Sequence, residues 1–127
     1  MIGPRGWASR GVADPREEHK DQGGDALDPK YASAIKNRAW IRATSKVDRC
    51  RNGEVAVEEA TKACELTGWK NPGYIDTLSC AYAEVGDFDQ AIRWQKKALE
   101  DPSYQREEGE NARAKLALYG KKRPFRE

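Results

Sequence analysis

Histidine is nearly missing from this 127-residue chain: the only one, His19, stands in a stretch with no apolar period. Acid–base and metal chemistry draw on histidine more than on any other side chain, and a lone solvated one supports neither. Cysteine occurs three times, at Cys50, Cys64 and Cys80, an odd number without a C-x-x-C pair. Neither a disulfide framework nor a zinc site follows from that pattern. Cys64 and Cys80 sit among apolar neighbours at helical spacing, where a thiol serves as a small core residue. The patterns G-x-S-x-G, G-x-x-x-x-G-K-[ST] and H-E-x-x-H are absent, so no enzyme, no cofactor and no metal is expected.

Long apolar runs are absent too, which excludes a membrane span and leaves a reducing, cytoplasmic setting as the expectation. An excess of one charge is also lacking. Lys and Arg number 23 against 21 Asp and Glu, a formal charge of +2, too little for an overall field that would draw the chain to nucleic acid or membrane. What the chain has instead is mixed charge: 35% of its residues are charged and 38% hydrophobic, a surface-rich composition suited to one domain. The longest basic run, Lys121, Lys122 and Arg123, is interrupted by Pro124 and closed by Glu127. Residues 121–127 are therefore expected to be a basic tail in solvent.

Residues 1–28, rich in Gly, Pro, Asp and Arg, read as a flexible leader, with Trp7 and Val12 able to dock on a groove. After Asp28 the helix signals become regular. Asp28-Pro29 places a capping carboxylate before a proline suited to the first turn, so helix one should run from about Pro29 to Lys46. Its inward stripe is Tyr31, Ile35, Ala39, Ala43 and Val47, with Trp40 beside it and a basic face opposite. Asn52 then caps a second helix to about Thr67, and Asn71-Pro72 opens a third to about Val85. Asp87 with Gln90 makes a capping box for a fourth helix to about Glu100. Asp101-Pro102 begins a fifth, to about Tyr119, closed by Gly120. Its expected stripe is Ala112, Leu116 and Tyr119, with Arg106, Glu107, Glu108, Glu110, Arg113 and Lys115 toward water.

An internal repeat connects these helices. At an offset of 35 residues Ala56 falls on Ala91, Val57 on Ile92, Lys62 on Lys97 and Ala63 on Ala98, while Trp40 falls on Ile75 and Ala43 on Leu78. Two helix-turn-helix units at this period read as a solenoid. The stretch "LSCAYAEVGDFDQAIRWQKKALE" resembles the second half of a tetratricopeptide repeat. Leu78, Ala81 and Tyr82 match the first-helix signature, Gly86-Asp87-Phe88 the turn, and Ala91 and Ala98 the small second-helix positions. The region from Ala39 to Ala91 is also similar to the repeat modules that end many large bacterial multidomain proteins, particularly of planctomycetes, and together the resemblance covers about Pro29 to Glu127. The pattern is not followed everywhere: Gln95 stands where the family usually has an aromatic, Ser79 replaces a glycine, and Arg51 replaces the glycine of the first turn.

The resemblance implies an all-α fold, an α-α superhelix of two hairpins, about 29–67 and 72–101, with a capping helix at about 102–120. It also implies a non-catalytic protein–protein interaction module, or scaffold, that binds a peptide segment or a neighbouring domain across its concave face. Helical spacing selects Arg38, Ile41, Arg42, Ser45, Asp76, Cys80, Ala83 and Glu84 for that face. It would be basic from helix one and acidic from helix three, without the cationic clamp that captures a chaperone's C-terminal carboxylate. If Tyr31 or Trp40 is exposed, the open N-terminal end could accept the leader, a preceding domain or a second copy, giving a homodimer. Nucleic-acid binding through the basic face of helix one and the tail is the alternative, and the small net charge disfavours it.

Overall fold

The structure, a computed structural model, describes residues 29–127, so the leader with Trp7, Val12 and His19 lies outside the described residues. Those described form an all-α fold with no strand among them: α1 (Pro29–Thr44), a short 3-10 turn (Asp48–Cys50), α2 (Gly53–Leu66), α3 (Pro72–Glu84), α4 (Phe88–Ala98) and α5 (Pro102–Gly120). The starts follow the local chemistry of the sequence. The side chains of Asn52, Asn71, Asp87 and Asp101 accept hydrogen bonds from Val55 N, Gly73 N, Gln90 N and Tyr104 N, satisfying amides that the first helical turn leaves unpaired.

The ends of α2 and α3 share one closure. In α2, Trp69 N–H donates to Cys64 O and Gly68 N–H to Glu65 O; in α3, Asp87 N–H donates to Tyr82 O and Gly86 N–H to Ala83 O. Gly68 and Gly86 take the left-handed conformation this closure requires, at φ 66° and 88°. In α5 the expected stop at Gly120 shifts. Lys122 N–H donates to Tyr119 O and Arg123 N–H to Leu118 O, and the left-handed residue is Lys122, at φ 59°. The chain therefore turns back two residues later than the glycine suggested.

α1 packs on α2 and α3, α2 on α3, α3 on α4, and α5 on both α4 and α3. This arrangement puts α3 at the centre, and every residue from Ile75 to Ala83 is buried, as expected of a helix with neighbours on all sides. Small residues at Ala39, Ala43, Ala56, Ala60, Ala81 and Ala91, all fully buried, let the helix axes approach closely. Trp94 and Tyr82 fill the space that remains, with Trp94 stacked on Trp69 at 5.3 Å between centroids.

Two departures from the repeat pattern have clear local solutions. Gln95, buried inside the stripe of α4, donates from Nε2 to the Tyr104 hydroxyl at 3.1 Å, so an amide–phenol contact joins α4 to α5. Ser79 Oγ donates to Ala91 O at 2.7 Å and joins α3 to α4. In the first turn Arg51 spans the wider connection, reaching Ser45 O at 2.6 Å, Asp48, and Glu84 on α3 at 3.3 Å. The large apolar side chains left exposed among the described residues are Tyr31, Ile41 and Val47, on α1 or just after it.

Candidate functional site

Lys36, Asn37 and Trp40 of α1 face Tyr104, Glu108 and Lys115 of α5 across a groove of about 800 Å³. Asp76 and Thr77 of α3 form its floor. Asn71, Pro72 and Gly73 border one end, and Phe125 and Glu127 the other. The geometry follows from α5 lying beside α3 rather than on α4 alone, so that α1, α3 and α5 share one side of the molecule.

The floor carries a buried charge pair. Lys115 Nζ donates to Asp76 Oδ1 and Oδ2 at 3.1 and 3.0 Å, with Lys115 only 5% and Asp76 9% exposed. Lys115 was expected in water; it faces inward instead, one position before Leu116, which is only half-buried. The physical reason is its surroundings. Its ammonium lies 5.1 Å from the Trp40 ring and 4.8 Å from the Phe125 ring, so two aromatic faces and a carboxylate replace the water it gives up.

Next to this pair the Tyr119 hydroxyl donates to Cys80 Sγ at 3.4 Å. Burial first, and then the Asp76 carboxylate, push the Cys80 thiol up to about 12. Burial likewise raises the Cys64 thiol and the Tyr104 and Tyr119 phenols above their ordinary ranges. All four stay protonated near neutral pH, and the two buried thiols are held as inert core groups. Among the described residues no group of three His, Cys, Asp or Glu side chains is placed to hold a metal ion, and no helix is long and apolar enough to cross a membrane.

Of the eight side chains expected on the concave face, Asp76 lines the groove. Cys80 and Ala83 are fully buried, because α5 covers the part of α3 that a two-hairpin stack would leave open. Glu84 lies under two cations, Arg51 at 3.3 Å and Arg126 at 2.7 Å. Arg38 and Arg42 point toward α2, where both reach Glu59, at 2.6 and 3.1 Å. Ile41 is exposed outside the groove lining, and the Ser45 carbonyl is taken by Arg51. The phase of α1 is therefore turned from expectation: Lys36, Asn37 and Trp40 face the groove. The charge balance turns with it. Asp76 and Lys115 neutralise each other, and the remaining lining has the carboxylates of Asp101, Glu107, Glu108 and Glu127 against the single ammonium of Lys36. The acidic side is α5 with its flanking residues, not α3, and Arg38 and Arg42 of α1 point away.

Trp40, Lys115 and Phe125 are among the groove residues that the sequence did not point to, as are Lys36 and Asn37 of α1 and the lining residues of α5. One signal was available: Lys115 lies three residues after Ala112 and four before Tyr119, a stripe position as good as that of Leu116. Nothing local indicated that Phe125 would return to α1. The chain matches no family model, no curated protein and no solved structure.

Proposed function

We propose that this chain is a non-catalytic interaction module that binds an extended peptide segment in the groove between α1, α3 and α5, in the manner of a tetratricopeptide-type helical repeat. The observation that carries the reading is the composition of the groove. Half-buried Trp40 offers flat apolar surface, and the exposed Asn37 offers an amide that can both donate to and accept from a peptide main chain, while Asn71 keeps an amide N–H free of its cap and Asn111 a carbonyl free of its bond to Glu108. The 35-residue repeat and the packing of each hairpin on the next support the superhelical form of this reading.

The reading is tested by selecting peptides from a displayed random library on the immobilised protein. Exposed lining residues are then changed, Asn37→Arg and Glu108→Arg, where neither side chain is part of the core. The selected peptides are expected to lose at least tenfold in affinity to each variant. Selection of no peptide, or equal binding to both variants, overturns the proposal. Nucleic-acid binding has less support. Arg38 and Arg42 are engaged by Glu59, and Arg126 by Glu84, so three of the cations on which that alternative relied already face carboxylates. Salt-dependent retention on heparin would revive it.

A further inference from the structure

Residues 121–127 are not a free tail. The closure of α5 at Lys122 turns the chain back, and the next four residues cross to the end of α1, making contacts of the kind a bound peptide makes. The Phe125 ring packs 5.9 Å from Trp40, with Lys115 Nζ against its other surroundings at 4.8 Å. Arg126 Nη1 reaches Glu84 Oε1 at 2.7 Å. The main-chain N–H of Glu127 donates to Thr44 O at 2.9 Å, and its carboxylate accepts a hydrogen bond from Trp40 Nε1. An aromatic slot at the end of the groove, an anion for a cation and a carbonyl for a main-chain amide just beyond it, and an indole N–H for a carboxylate thus receive successive parts of the segment.

We infer that residues 124–127 are an internal ligand. The groove's partner is then an extended protein segment that carries the same order, an aromatic followed by a cation and a carboxylate, and enters by displacing them. The inference rests on the peptide-binding reading and names the chemistry of the peptide. Pro124, Phe125 and Arg126 are only half-buried and Glu127 is exposed, so the segment lies on the groove rather than inside the core, and each contact can be exchanged for an equivalent one. Tethering by a three-residue turn gives the internal segment a high effective concentration, on the order of millimolar for short linkers. A partner overcomes that advantage by extending past Phe125 into the open part of the groove, where the exposed Asn37 and Glu108 offer contacts that residues 124–127 do not use.

The probe is a labelled heptapeptide with the sequence of residues 121–127, titrated by fluorescence anisotropy against the full chain and against its Phe125→Ala variant. The variant is expected to bind the probe at least tenfold more tightly than the native chain, and a probe carrying the same Phe125→Ala change is expected to lose that binding. Equal binding to both chains, or binding to neither, overturns the inference. Amide exchange in the unaltered chain tests it without a variant: excess heptapeptide should speed exchange at the Glu127 amide, and an unchanged rate overturns it. If the opened variant takes library-selected peptides of other patterns but not the heptapeptide, the internal-ligand inference fails and the general reading stands. If it takes no peptide of any sequence, both fail.

Discussion

Glu59 of α2 and Trp94 of α4 occupy equivalent places, 35 residues apart in the two hairpins, and they hold their hairpins together by opposite means. Trp94 is 1% exposed and stacks on Trp69. Glu59 keeps a side-chain exposure of 15% and binds Arg38 and Arg42, which are 57% and 35% exposed. α4 of the second hairpin is anchored on the connection that carries Trp69 by excluding water from a large ring, and the first hairpin closes by pairing charges that stay partly wet. The same contrast runs through the turns. Gly86-Asp87 makes a tight turn between α3 and α4, while Arg51 spans a wider connection between α1 and α2 with its guanidinium. One backbone pattern can therefore be stabilised by two different sequence solutions, and they differ in strength: area burial dominates where both are available.

The comparison is broken most severely at Trp94. Trp94→Ala removes the largest fully buried side chain and is expected to cost about 4 kcal/mol of unfolding free energy, measured by urea titration. A loss below about 1 kcal/mol would show that the second hairpin does not depend on the ring.

Next comes the buried pair that joins the second hairpin to α5. Lys115→Met strands the Asp76 carboxylate in a site that water barely reaches, with an expected cost of about 3 kcal/mol. Adding Asp76→Leu to the same chain should restore most of it. A double variant no more stable than the single one would show that the stranded carboxylate is not the source of the cost.

Gly53 sharpens the contrast at the start of α2, the position that Phe88 occupies in the second hairpin. A Cβ there would come within 2.7 Å of Val85 Cγ1 and 3.1 Å of Val85 N, so Gly53→Ala must push α2 away from α3. Its expected cost is about 2 kcal/mol, readable as a lower thermal midpoint. Phe88→Ala leaves a gap instead, and combining the two changes should not cancel their costs.

The smallest effect belongs to Glu59. Glu59→Gln is expected to cost less than about 1 kcal/mol, and the difference from native should shrink further at ~1 M salt, because the partners are partly exposed. A loss as large as that of Trp94→Ala would mean that the two hairpins are held with equal strength after all.

The helices were legible because their signals are local. Asn52, Asn71, Asp87 and Asp101 cap the helices whose starts they marked, since a cap needs only a side chain and the amide two or three residues on. The buried alanines of α2, α3 and α4 were legible for the same reason: spacing fixes which residues share a face. The groove was much less so. Asp76 lines the groove, whereas Arg38 and Arg42, expected on the same face, reach Glu59 on α2, because α1 has many polar positions and its Trp40 reads only as lying beside the inward stripe. Which face of α1 looks into the groove depends on where α5 lies, and that is a matter of packing between segments sixty or more residues apart.

The order of helices, their caps and the 35-residue correspondence were determined by the sequence alone, because each arises within one turn or one hairpin. Burial of Lys115 beneath Trp40 and Phe125, the acid-rich lining contributed by α5 and the return of residues 124–127 to α1 were decided only by the tertiary structure. A charged side chain enters the interior, and a polar segment leaves water, only where several distant groups together replace the solvation it loses, and no local pattern encodes such an assembly.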